Sequence, residues 1–146
     1  MTYTYDYPRL MLTVDAVVFR KNKGLLEVLL IQRKHDPFEG MWALPGGFVD
    51  MDETCEEAVV RELEEETNLT LTGLKQLHTF SELGRDPRGR TVSVTFFGFA
   101  DYLNSTVKGG DDAQAACWYP IDNLPELAFD HIKVVEMAVG AIDAFN

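Results

Sequence analysis

Between Gly46 and Leu69 the chain reads GGFVDMDETCEEAVVRELEEETNL, a segment crowded with carboxylates and carrying one arginine, Arg61. Stepped at about 100° per residue as a helix, Cys55, Ala58, Val59 and Leu63 make one apolar stripe. Glu56, Glu57 and Glu64 fall away from it, as solvated residues should. Glu62 and Glu66 fall within about 40° of its centre and Glu65 at its edge, so the apolar face turns acidic in its second half. A solvated face accounts for the first three acids and not for the last three. Carboxylates three and four residues apart repel, and when partly desolvated they would sooner take up protons than share a site. A divalent cation removes the conflict. Clustered carboxylate oxygens are hard ligands suited to Mg²⁺ or Mn²⁺.

These side chains need a scaffold. Thr54 and Glu57 make a capping box that starts the helix, which runs to about Thr67. LMLTVDAVVF (10–19) and LLEVLLIQR (25–33) read as strands joined by a turn at 22–24. MWALPGGFV (41–49) is a short apolar run broken by Pro45-Gly46-Gly47. LTLTGLKQLHTF (69–80), TVSVTFFGFADYL (91–103) and AACWYPI (115–121) are β-rich, and 128–145 reads as a closing amphipathic helix. Mixed strands with two helices predict an α/β (α+β) layered fold, a mixed sheet between helices, in one domain over 1–146.

Net charge is −11, which argues against a protein built mainly to grip nucleic acid. A phosphorylated small molecule remains possible if its charge meets a local basic cluster or metal ions. No apolar run reaches membrane-spanning length, and the amino end lacks a signal-peptide pattern. Cys55 and Cys117 fit no metal spacing and read as reduced thiols, small buried hydrophobes of a cytoplasmic protein.

The segment resembles the Nudix box, G-x5-E-x7-R-E-U-x-E-E-x-G-U with U a bulky aliphatic: Gly47, Glu53, Arg61-Glu62, Leu63, Glu65-Glu66 and Leu69 stand at its spacing. Asn68 departs, standing where the family has glycine. Asparagine is the second choice for a left-handed helix end, so the chemistry is unaffected. The resemblance implies a Nudix α/β/α sandwich that hydrolyses a nucleoside diphosphate linked to another moiety. It implies Glu62, Glu65 and Glu66 as metal ligands, joined by the backbone carbonyl of Gly46. Arg61 would orient glutamates, and Glu53 would assist them. The general base is open between Glu62 and an acid of the later NSTVKGGDDAQ loop, Asp111 or Asp112, for which simple turn formation is the better reading. A homodimer is also implied.

Outside the box, Arg85, Arg88 and Arg90 cluster in GRDPRGR, where a turn explains the proline and glycine but not three arginines. Arg forks suit phosphate, so Arg85 and Arg88 are candidate substrate ligands, as is Arg33 at a strand end. Phe129 and His131, with Tyr5, Tyr7 and Phe80, are candidate purine contacts. His131 reads more readily as a helix-start or packing residue, and Trp42 as core. TVDAVVF, GRDPRGRTVSVTFFGF and LAFDH resemble the ADP-ribose pyrophosphatase-like branch and also the Nudix sensor domains of NAD-related transcription regulators. Those regulators carry a winged helix, for which the sequence after 145 leaves no room. The expectation is therefore ADP-ribose hydrolysis to AMP and ribose 5-phosphate. The alternatives are pyrophosphohydrolysis of nucleoside triphosphates and ligand sensing without catalysis.

Overall fold

The computed structural model describes residues 2–143. Seven strands and two helices follow one another as β1 (Met11–Asn22), β2 (Leu25–Arg33), β3 (Trp42–Ala43), β4 (Gly46–Phe48), α1 (Cys55–Thr67), β5 (Lys75–Phe80), β6 (Thr91–Phe99), β7 (Ala113–Pro120) and α2 (His131–Asp143). The strands form one mixed sheet in the order β3-β2-β1-β6-β5, with β4 paired to β1 and β7 to β2.

The central strand explains the layering. From Thr13 to Phe19 every residue of β1 is buried, because both of its faces are covered. Successive side chains point to opposite faces. Val14, Ala16 and Val18 pack with Ala58, Val59 and Leu63 of α1. Val17 and Phe19 pack with Val134, Val135 and Ala138 of α2. One helix therefore covers each face, and each large apolar side chain so buried contributes about 1.5–3 kcal/mol. The expected sandwich is present.

β1 also changes partner along its length. Thr13–Asp15 pair antiparallel with Gly46–Phe48, while Phe19–Asn22 pair with Leu25–Val28. Its other edge runs parallel to β6 from Met11–Thr91 to Phe19–Phe99. The short β4 is thus laid across one end of β1, where it meets α1.

Helix α1 begins as its sequence specifies. Thr54 Oγ1 accepts a hydrogen bond from the Glu57 amide (3.1 Å) and Glu57 Oε1 accepts one from the Thr54 amide (2.9 Å), a cap worth about 1 kcal/mol. It ends at Asn68 in the left-handed conformation (φ 61°), whose amide donates to the Glu64 carbonyl.

Several boundaries differ from the sequence pattern. The 41–49 run splits into two short strands at Leu44-Pro45. Residues 69–74 carry no strand, with Gly73 at φ 77° breaking the pattern. The β-rich run 91–103 leaves the sheet after Phe99. α2 begins at His131, not at 128, because Phe129 has φ 54°, outside helical space. The expected end of that helix at 144–145 lies outside the described residues. No helix among the described residues is long and apolar enough to cross a membrane. Cys55 packs beside the α1 core, but Cys117 is exposed on β7, against the expectation of burial.

The end of α1 yields a direct test. Asn68→Ala should lower stability by about 1 kcal/mol, because a Cβ-bearing residue without a local side-chain acceptor is disfavoured at positive φ. Asn68→Gly should stay within about 0.5 kcal/mol of the parent in urea melts. Equal losses in both variants would remove the conformational explanation.

Candidate active site

A cleft of about 330 Å³ opens where β4, α1, the 81–90 loop and the start of α2 converge. The glycines of β4 are there for space. A Cβ on Gly47 would lie 2.6 Å from the Glu62 carboxylate. One on Gly46 would collide with the Val14 carbonyl and with Asp15. The Gly46 amide donates to Glu66 Oε1 at 2.7 Å. Only a bare backbone lets the helix bring two carboxylates this close to the strand.

Of the three acids singled out, Glu66 is buried, Glu62 is half-buried and Glu65 is exposed. Glu66 is 5% exposed, and burial pushes its carboxyl well above the usual range, with Glu62, Asp15 and Asp112 adding to the rise and the Gly46 amide opposing it. Burial likewise raises Glu62, assisted by Glu65 and Asp111 and opposed by Arg61. Glu62 and Glu66 line the cleft; Glu53, Arg61 and Glu65 stand outside its wall.

Arg61 ties this group together. It donates to Glu53 (Nη2 2.6 Å, Nε 3.0 Å), to Glu62 (2.9 Å), to Glu65 (3.1 Å) and to the Phe48 carbonyl (3.1 Å). Its hydrogen bond to Glu53 is the largest of the influences that make its proton harder to lose, and the same bond holds Glu53 below the ordinary carboxylate range. One guanidinium thus bridges three glutamates.

The donor types suit a hard divalent cation: the carboxylates of Glu62 and Glu66 lie beside the Gly46-Gly47 backbone and are under-compensated for charge, with Glu65 next to Glu66 on α1. Among the described residues, no three His, Cys, Asp or Glu side chains are already closed into a coordinating group. Glu62 and Glu65 are instead held by Arg61, and Glu66 by the Gly46 amide.

The opposite wall carries cations. Arg33 sits where the β2–β7 register shifts between Gln32 and Arg33, a device that re-aims a strand-end side chain. Its Nε donates to the Pro37 carbonyl at 2.7 Å, and its guanidinium lies 5.0 Å from the Phe129 ring centroid. Burial, then the nearby Arg88, weaken its hold on its proton; a neighbouring anion would relieve both. Arg85 and Arg88 also line the cleft, but their forks are occupied. Arg85 grips Asp130 (2.8 and 3.0 Å) and Arg88 grips Asp86 (2.8 Å). Burial raises the Asp86 carboxyl, yet its bonds from Arg88 bring it below its ordinary value. Arg90 does not reach the cleft.

Phe129 and His131 line the cleft, as does Asp112, while Asp111 does not. Asp111 has φ 52°, matching its turn role. Of the other aromatics, Phe80 is in the core, Trp42 packs edge-on against Tyr119, and Tyr5 and Tyr7 are exposed away from the cleft. Among the cleft residues not singled out from sequence are Asp15 and Asp86, both buried. Asp15 had a readable signal, one acid inside a strand whose neighbours are all apolar or β-branched. Such an acid must be partnered.

The buried carboxyl of Glu66 makes pH a probe. Its folded pKa is raised, so its contribution to stability is full below the unfolded value and is lost as pH rises through the folded one. Without metal, Glu66→Gln keeps the acceptor for Gly46 and removes the charge. It should melt above the parent at pH about 8, and the gap should close as pH falls toward about 4.5. A constant gap across that window would show that Glu66 titrates in the folded protein as it does in the unfolded chain, with no upward shift.

Comparison with known proteins agrees with this arrangement. The NUDIX domain family matches residues 9–138. An ADP-ribose pyrophosphatase of Methanocaldococcus jannaschii is 46% identical over 123 residues, covering 84% of this chain and 69% of that protein. The ADPR responsive transcriptional repressor NtrR of Acinetobacter baylyi is 32% identical over 144 residues, covering 94% of this chain and 56% of the repressor. Among solved structures, the NUDIX domain of Shewanella oneidensis NrtR complexed with ADP ribose has a TM-score of 0.88 at 36% identity, covering 94% of each chain. With Glu62 and Glu66 set against a double glycine, Glu62 held by Arg61 and Glu66 by the Gly46 amide, and with the family matched over most of this chain, the chain belongs to the Nudix family of pyrophosphohydrolases.

Proposed function

We propose that the protein hydrolyses ADP-ribose, or a close relative, to AMP and ribose 5-phosphate with the help of a divalent cation. The observation that carries this reading is the polarity of the cleft, acidic along α1 and cationic at Arg33. A diphosphate needs both. Its oxygens pair with Arg33, whose terminal nitrogens donate to no group among the described residues, while the acids hold the cation.

Glu62, Glu65, Glu66 and the Gly46 carbonyl would hold Mg²⁺ or Mn²⁺, which supplies neutralisation of phosphate charge, activation of water and fixed geometry. Arg61 keeps Glu62 and Glu65 aligned, and Glu53 anchors Arg61. Glu62, under-compensated and facing the cleft, is the nearer candidate for taking a proton from the attacking water; Asp112, on the cleft wall, is the other. Water attacks one phosphorus, the bridging P–O bond breaks, and the leaving phosphate keeps that electron pair. Phe129 offers an aromatic face to the nucleoside or sugar end. Arg85 and Arg88 support the substrate wall that both line, while Asp130 and Asp86 hold their forks.

A triphosphate would bring more negative charge to a cleft whose Arg85 and Arg88 forks are already engaged by carboxylates. The relationship to the repressor NtrR favours a second reading, binding of ADP-ribose without turnover. A hydrolysis panel with Mg²⁺ and Mn²⁺, over ADP-ribose, NADH, dinucleoside polyphosphates, nucleotide sugars and triphosphates, separates the three. AMP and ribose 5-phosphate as products support the proposal. Pyrophosphate released from a triphosphate, with ADP-ribose left intact, would sink it, and tight binding without turnover would favour the sensor.

Two substitutions test the roles. Glu62→Gln or Glu65→Gln should reduce turnover at least about a hundredfold while the protein stays folded; near-normal turnover at saturating Mg²⁺ would remove that residue from the ligand set. Arg33→Ala should raise KM more than it lowers kcat, as expected of a group that binds ground and transition states alike. Arg85→Ala should instead lower thermal stability, because it leaves Asp130 without its ion-pair partner. An unchanged KM in Arg33→Ala would move phosphate binding elsewhere.

A further inference from the structure

We propose that Asp15 and His131 form a hydroxyl-reading pair, taking one sugar hydroxyl of the substrate between the His131 Nε2–H donor and the Asp15 Oδ1 acceptor. The proposal rests on the diphosphate-sugar reading above and adds what selects the sugar.

The proton on the imidazole can be placed. The Leu44 amide donates to His131 Nδ1 at 3.0 Å, so Nδ1 carries no hydrogen and the ring's N–H is at Nε2. Burial keeps the ring neutral by lowering its pKa. Asp15 is fixed from the other side, its Oδ2 accepting from the Ser93 hydroxyl, which is wholly buried. What remains is one donor and one acceptor facing each other, Nε2 and Oδ1, 3.6 Å apart. That gap is too long for a hydrogen bond between them. No buried polar side-chain atom among the described residues lacks a partner, so these two unpaired atoms are open to the cleft that both residues line.

The gap has a chemical preference. An oxygen on the cleft side, about 2.8 Å from each atom, can bridge them, provided it accepts from Nε2 and donates to Oδ1. A hydroxyl does both. A phosphate or ether oxygen can only accept and would set a lone pair against the Asp15 carboxylate. An ammonium can only donate and would meet the Nε2 hydrogen. The neighbours place the hydroxyl near the phosphates: the Phe129 ring lies 5.3 Å from the His131 ring, with Arg33 and Arg88 stacked over Phe129 at 5.0 and 5.4 Å. A sugar joined directly to a phosphate puts a hydroxyl at that range.

The test is steady-state hydrolysis of ADP-ribose against analogues in which single ribose hydroxyls, of either sugar, are replaced by hydrogen. In the parent, loss of the recognised hydroxyl should lower kcat/KM about tenfold to a hundredfold, because donor and acceptor are both left unpaired. His131→Asn keeps an acceptor for the Leu44 amide and deletes Nε2; the discrimination should fall to within about threefold. His131→Gln, whose amide nitrogen can occupy the Nε2 position, should restore part of it. Asp15→Asn keeps an acceptor for Ser93 but allows a second donor at the Oδ1 position, and should also erase the preference. Either substitution suffices if the other fails to fold. Discrimination that persists unchanged in a folded Asn variant, or a parent indifferent to every hydroxyl, overturns the proposal and leaves the pair a structural contact. If the parent hydrolyses no ADP-sugar, the functional reading fails on its own. The pair is then read by calorimetric binding of AMP and ribose 5-phosphate against their deoxy counterparts, where a parental preference lost in Asp15→Asn upholds it and no preference overturns it.

Discussion

The approach of α1 to β4 governs the rest of this molecule. Glu66 reaches the Gly46 amide and Glu62 lies against Gly47 at a distance no side chain on the strand would permit. That contact places carboxylates on the buried side of an amphipathic helix, where their charge is expensive. The surroundings answer in two ways. Arg61 spreads one positive charge over Glu53, Glu62 and Glu65, and burial shifts Glu62 and Glu66 toward holding protons. Neither fully offsets the accumulated charge. A site that stays short of positive charge in its folded state is poised to take a cation, and this shortage, more than any single ligand distance, gives the cleft its chemistry.

The far wall is organised by a different principle. Its arginines are not free forks awaiting phosphate; two of them are locked into carboxylates that anchor the 81–90 loop. Arg85 joins that loop to the residue preceding α2, and Arg88 closes onto Asp86 within it. Such pairs rigidify more than they stabilise, since desolvation consumes much of the Coulomb gain. A preset wall costs less conformational entropy when ligand binds. Arg33 is the exception, displaced by a strand irregularity and left with donors that no group among the described residues shares. The same architecture could serve turnover or sensing.

Much of this was legible in the chain itself. The capping box at Thr54, the left-handed Asn68 and the helical stripe turning acidic at Glu62 are local features, and local spacing specifies them. The two double-faced strands were legible for the same reason, through continuous apolar runs. Element ends were less so. Phe129 at positive φ delays α2 past the start of its apolar periodicity, and β5 begins late, because turns answer to packing as well as pattern.

What tertiary structure alone decided is pairing across distance. Nothing local distinguishes Arg85, held by Asp130, from Arg33, which is not. Asp112 lines the cleft and Asp111 does not, although they are adjacent in the chain. Asp15 announces itself in sequence only as an acid in an apolar strand; that its partners are Ser93 and His131 follows from the β1–β6 pairing and the docking of α2. The reason is physical. Helix periodicity and capping act over one or two turns of chain, so composition and spacing determine them. Partners for buried charge are set by which strands lie side by side and which helix covers them, and that is the property of the folded whole.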